Sequence, residues 1–120
     1  MKAMQYEEME PATVGEVREA LKRSEMERAS KLIIGVALHS PNADSAAQLC
    51  LEAASSPHPI VRGNAILGFG HSARRFGSLE RSSVERVLVA ALSDPEPYVR
   101  GQASAAADDI QHFLGWAVRA

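Results

Sequence analysis

One cysteine, four histidines and a group of arginines are the residues of this chain whose types could do chemistry. Cys50 lies in an alanine-rich apolar stripe with no histidine at helical spacing to activate its thiol, so it reads as a core residue and not a nucleophile. His39, His58, His71 and His112 form no H-x-x-x-H pair. Asp108 and His112 stand at i and i+4 on one helix face, but two ligands fall short of a metal site. Neither a metal nor a cofactor is expected. Arg74, Arg75, Arg81 and Arg86 surround the turn at Phe76-Gly77, within a span (61 to 90) holding five basic and two acidic residues. An arginine corner of this kind is the chemistry of phosphate contact. The whole chain leans the other way. Lys plus Arg is 13 against 15 Asp plus Glu, net charge is −2, and aromatic content is 5%, which argues against a polybasic or base-stacking nucleic-acid surface. No Ser-His-Asp set, carboxylate dyad or phosphate-cradling glycine loop is visible, and the expectation is a non-enzyme.

The elements that must position these residues are helices. At 120 residues, 46% hydrophobic and 23% charged, the chain has the size and mix of one globular domain. Residues 1–11 read as a flexible N-terminal segment and 12–120 as the domain. The polar, acidic start has no apolar stretch of the signal-peptide kind. The densest apolar run, Leu32 to Leu38, reaches about 10 Å as helix against roughly 30 Å of bilayer core. A cytoplasmic protein with a reduced thiol and no membrane contact is expected.

Thr13-Val14-Gly15-Glu16 has capping-box spacing, so a helix starts at Val14, with Val17 and Leu21 on one face. Ser24-Glu25-Met26-Glu27 repeats that spacing and opens a second helix, with Met26, Ala29, Ile33, Val36 and Ala37 as its stripe. Ser40-Pro41 reads as N-cap and first residue of a third. A fourth runs from about Pro59 to Arg75, with Val61, Ala65 and Phe69 facing inward, and Gly77-Ser78 breaks it. A fifth covers Ser82 to Leu92, and Pro95 and Pro97 bound a sixth that carries Val99, Ala103, Ala106, Ile110, Phe113 and Leu114. No period-2 alternation supports a strand.

An internal repeat organises these helices. Ala54-Ser55-Ser56-Pro57-His58-Pro59-Ile60-Val61-Arg62-Gly63-Asn64-Ala65 aligns without a gap on Leu92-Ser93-Asp94-Pro95-Glu96-Pro97-Tyr98-Val99-Arg100-Gly101-Gln102-Ala103, 38 residues on, with seven of twelve positions identical. A period of this length means stacked helix-turn-helix units. Pro57 and Pro95 end the incoming helix, Pro59 and Pro97 preset the outgoing one, and Val61 and Val99 plug the space between the paired helices. The P-x-P-x-V-R-x-x-A pattern after an apolar helix resembles the HEAT repeat over residues 43 to 115. The resemblance implies an all-α fold, a short α-solenoid of about three stacked antiparallel helix pairs. It also implies a structural ladder in which the turn Asp (Asp94) and the helix Arg (Arg100) bond adjacent units. Ser56 stands where the earlier unit needs Asp, leaving Arg62 to reach for Asp94.

In such stacks the second helices, here 59 to 75 and 97 to 115, line a concave face that recognises a partner. By outward phase or rim position, the candidate protein-binding residues are Asn64, His71, Arg75, Gln102, Asp108, Asp109 and His112. Phe113 and Trp116 either cap the last apolar face or anchor an interface. Acidic residues gather in positions 1 to 27, with Glu7, Glu8, Glu10, Glu16, Glu19, Glu25 and Glu27, and again at Asp108-Asp109. A small, mildly acidic HEAT-like chain is similar to immunity proteins of bacterial toxin systems, which implies a protein partner such as a basic nuclease toxin domain. Two alternatives stay open. One is an accessory or lyase-like HEAT subunit of an enzyme complex, which needs an exposed Cys50 or His71. The other is a small nucleic-acid binder using the arginine corner.

Overall fold

In the computed structural model, which describes residues 11–120, six helices follow one another: α1 (Val14–Lys22), α2 (Met26–His39), α3 (Ala43–Ala53), α4 (Pro59–Phe76), α5 (Arg81–Leu92) and α6 (Pro97–Leu114). The described residues contain no strand. The segment expected to be flexible, 1–11, lies outside them except for Pro11, as do Glu7, Glu8 and Glu10.

Local chemistry sets the helix ends. Thr13 caps α1 through a capping box, its side chain accepting from the Glu16 amide while the Glu16 carboxylate accepts from the Thr13 amide. The expected second box does not form. Ser24 instead ends α1, at φ 59°, with its N–H on the Leu21 carbonyl and the Glu25 N–H on Ala20. That is a Schellman motif, and a residue in the left-handed region cannot also be the extended N-cap of α2. Glu25 takes that place without a side-chain bond. The expected Ser40-Pro41 start is corrected too. Ser40 closes α2, and Asn42 caps α3 by accepting from the Ser45 amide at 2.8 Å. Gly77 and Gly115, 38 residues apart, end α4 and α6 in the left-handed conformation that glycine adopts without penalty.

α4 packs against α2 and α6, and also against α3 and α5; the backbones of α2 and α6 do not approach each other closely. Two apolar clusters meet in it. Val61 and Ala65 join Val17, Ala29, Ile33, Val36, Leu49 and Ala53, whereas Ile66, Phe69 and Ala73 join Val84, Leu88, Val99, Ala103, Ala106 and Ile110. Sequence spacing gave α4 a single inward face. Instead every residue from Gly63 to Ala73 is buried. Two glycines permit the approach. A Cβ on Gly63 would lie 2.7 Å from the Tyr98 ring, and one on Gly68 would lie 2.5 Å from Cys50 Sγ.

Gly68→Ala therefore drives a methyl into a buried sulfur. The expected cost is about 1–3 kcal/mol of overpacking, against which the helix propensity of Ala returns roughly 1 kcal/mol. Adding Cys50→Ala leaves the Ala37 Cβ at 3.5 Å and the residue-50 Cβ at 3.8 Å, both ordinary contacts, and restores stability. Urea unfolding of the single and double variants reads this directly. A single variant more stable than wild type contradicts the packing described.

Candidate functional site

The two repeated turns have the same local wiring. Ser56 Oγ accepts from the His58 amide at 3.2 Å, and Asp94 Oδ1 accepts from the Glu96 amide at 2.9 Å. Arg62 donates to the Ser56 carbonyl at 2.9 Å, and Arg100 to the Asp94 carbonyl at 2.8 Å. Between the turns, Arg62 Nε and Nη2 both donate to the Asp94 carboxylate at 2.9 Å. This fork is largely enclosed, with 17% and 13% of the two side chains exposed. The guanidinium holds the Asp94 carboxyl below its ordinary range, and the carboxylate raises Arg62 in return. Arg100 makes its bonds to the backbone carbonyls of Asp94 and Pro95.

The expected binding residues separate into two groups. Asn64 and His71 do not face outward: each is 4% exposed. Asn64 is a hub. Its amide donates to the Ser30 carbonyl at 3.0 Å, and its carbonyl accepts from Tyr98 Oη and from Gln102 Nε2, the latter at 3.2 Å. One side chain thus ties α2, α4 and α6 together. Burial pushes His71 down to about 4, with Arg74 and Arg75 adding to the effect, so the ring is neutral at pH 7. Arg75 is half-buried and donates to the carbonyls of Ala37 and Ser40 at 3.0 and 2.7 Å, closing the C-terminal end of α2.

On α6 the candidates reach solvent. Asp108 and His112 are exposed, and Gln102 and Asp109 are half-buried. Asp109 lies against α4 at Gly70, where a Cβ would come 2.9 Å from its carboxylate. Tyr98 and Phe113, 40% and 43% exposed, complete a stripe with Gln102 and Asp109 at helical spacing. Tyr98 was not among the residues expected from sequence. Its signal was there, as the aromatic opposite Ile60 in the repeat. Phe113 and Trp116 part company: Trp116 packs on the core beneath the Arg81 guanidinium, 5.1 Å from its ring, whereas Phe113 stands out.

The four arginines of the corner differ in their engagement. Arg81 pairs with Glu85 at 3.0 Å and covers Trp116, Arg75 is held by α2, and Arg74 and Arg86 remain exposed. The enzyme alternative needed Cys50 or His71 at the surface, and both are buried. Desolvation raises the Cys50 thiol to about 12, so no thiolate is present near neutral pH. Among the described residues no three His, Cys, Asp or Glu side chains are grouped to hold a metal ion. No described helix is long and apolar enough to cross a membrane. A cleft of about 410 Å³ between Thr13, His39 and Asn42 contains none of the expected site residues. No protein-family model, curated protein or solved structure matches this chain.

Two outcomes follow from these interactions. Asp94→Ala strands the enclosed Arg62 and should cost about 2–4 kcal/mol, whereas Glu52→Ala, which breaks the exposed bridge to Arg18, should cost under about 1 kcal/mol. Chemical denaturation at pH 7 compares the two, and equal losses contradict the enclosed fork. The second concerns pH. The folded His71 value is below the unfolded one, so the unfolded chain binds the extra proton as pH falls. Stability is complete above about 6.5 and declines down to about 4. His71→Leu should flatten the unfolding midpoint across that window. The Asp94 contribution is lost only at lower pH, below its unfolded value near 3.8.

Proposed function

We propose that this chain is a short HEAT-like array of about three helix pairs that acts in the cytoplasm by binding a protein partner, and not by catalysis. The observation that carries the reading is the α6 stripe. Tyr98, Gln102, Asp109 and Phe113 present two exposed aromatics and an acid on a helix that is fixed at its start by Asn64 and at its middle by Gly70. Rigid aromatics beside adaptable polar groups are what interface hot spots use. Support for the array comes from the repeated wiring of the Ser56 and Asp94 turns and from the paired glycine stops.

The sharp form of this reading is an immunity protein that covers a basic toxin domain, with Asp108 and Asp109 supplying the complementary charge. A photoreactive phenylalanine analogue at position 113 tests the general form in the host cell. It should trap one protein, while the same group at exposed Lys22 should not. Identical products at both positions defeat the proposal. For the trapped protein, Asp108→Lys should slow association about tenfold at low salt and much less at high salt if the partner face is basic.

A further inference from the structure

α6 sits on α4 through two adjacent residues of α4, Arg62 and Gly63. Arg62, anchored on the Ser56 carbonyl, takes the Asp94 carboxylate. Gly63 leaves a hollow that the Tyr98 ring fills. Asp94 and Tyr98 are four residues apart, one in the turn and one at the start of the helix. One layer thus holds the next by a carboxylate on arginine and an aromatic ring on glycine.

The same pair recurs as Arg100-Gly101. Arg100 grips the Asp94 and Pro95 carbonyls as Arg62 grips Ser56, which aims the guanidinium in the same manner. Among the described residues, no carboxylate forks onto it as Asp94 forks onto Arg62. Gly101 is exposed, and a Cβ placed there meets nothing within 4 Å. A glycine inside a helix costs stability relative to alanine, and at Gly63 the Tyr98 ring explains it. At Gly101 nothing in the described protein does. One turn and a further turn along the same edge stand Ser104 and Asp108, both exposed. Asp108 occupies the repeat position of Gly70, the residue that accommodates Asp109.

We infer that the outer edge of α6, centred on Arg100 and Gly101, is a docking surface for a helix pair of a partner protein. This rests on the array reading above. The partner places a carboxylate in the turn between its helices, on Arg100. Four residues later it places an aromatic ring in the Gly101 hollow. Eleven residues beyond the ring, where this chain has Asp109, it carries a Lys or Arg to meet Asp108. That last requirement selects a partner over a second copy, because the α5–α6 pair of a copy would set its Asp109 against Asp108.

The test extends the full chain by inserting a second copy of residues 77–114 after Leu114, with Asp109→Lys in the added copy. The added helices should unfold in the same transition as the rest and resist amide hydrogen exchange. Arg100→Glu or Gly101→Leu in the extended chain should lower that protection at least tenfold, while the unextended chain carrying either change keeps its helical content. Restoring Asp109 in the added copy should weaken protection about tenfold. Unprotected added helices, or protection indifferent to both substitutions, overturn the proposal. Gly63→Leu in the unextended chain is the control for the array itself. It should release α5 and α6 to exchange, and if it does not, the array reading fails instead of the edge. Concentration-dependent self-association of the unextended chain, abolished by Gly101→Leu, would assign the edge to a second copy and overturn the partner chemistry.

Discussion

The distance at which other side chains approach the α4 backbone is the constraint on which the structure depends. Interior packing is close to crystalline, so a missing Cβ must be filled or it becomes a void. At Gly63 the filler is Tyr98, at Gly68 it is Cys50, and at Gly70 it is Asp109 with the Ala106 backbone. The first and last come from α6 and the second from α3. Each contact fixes the separation of one neighbour from α4, and together they make α4 the shared wall of both apolar clusters. The polar consequence is equally specific. With the ring seated on Gly63, Tyr98 Oη reaches the Asn64 carbonyl, and Asn64 has only its amide nitrogen left to satisfy Ser30 on α2. The position of α6 is thereby coupled to α2, whose backbone does not come close to it. A buried amide of this kind is costly when left unpaired, and here the carbonyl accepts two bonds and the amide nitrogen donates one.

The turns show how a repeated segment separates a local duty from a long-range one. Capping the next amide needs one short side-chain oxygen two residues before it, and Ser56 and Asp94 serve equally. Holding an arginine from the preceding layer needs a carboxylate, and only Asp94 qualifies. Arg62 belongs to the earlier turn yet is satisfied by the later one, so the fork tolerates Ser at position 56. The asymmetry matches the enclosure of the fork. An arginine 17% exposed requires a charged acceptor, whereas exposed Arg100 bonds backbone carbonyls alone among the described residues.

Much of this was legible because helix signals are local. The prolines at 59 and 97, the Thr13-Glu16 box and the apolar spacing each act within one or two turns. The reach of Arg62 to Asp94 was legible as well, from the 38-residue period and the serine at 56. Reading stopped where one residue has two possible employers. Ser24 can begin α2 or end α1, and the choice depends on where α1 runs out of helical angles, which spacing does not reveal. Ser40 poses the same ambiguity and Asn42 resolves it. Spacing places Asn64 and His71 on an outer face because periodicity presumes one apolar stripe per helix. A helix covered on several sides breaks that presumption. Its trace was present in the sequence: Gly63 and Gly70 mark one close-packed face of α4, and Gly68 marks another.

The repeat also explains why the exposed chemistry collects on α6. Asn64 corresponds to Gln102, His71 to Asp109 and Arg75 to Phe113, so each of these three buried or engaged side chains of α4 has a solvent-reaching counterpart 38 residues on. Positions under the same backbone geometry have taken opposite character according to what covers them. Inside, an imidazole is kept neutral by burial and an arginine turns onto helix carbonyls. Outside, a half-buried acid packs its stem on Gly70, and 43% of Phe113 stays in water. A single exposed apolar residue is ordinary on a protein surface. On this stripe Tyr98 and Gln102 are held by Gly63 and Asn64 and Asp109 by Gly70, and Phe113 is the member that the described packing leaves in water.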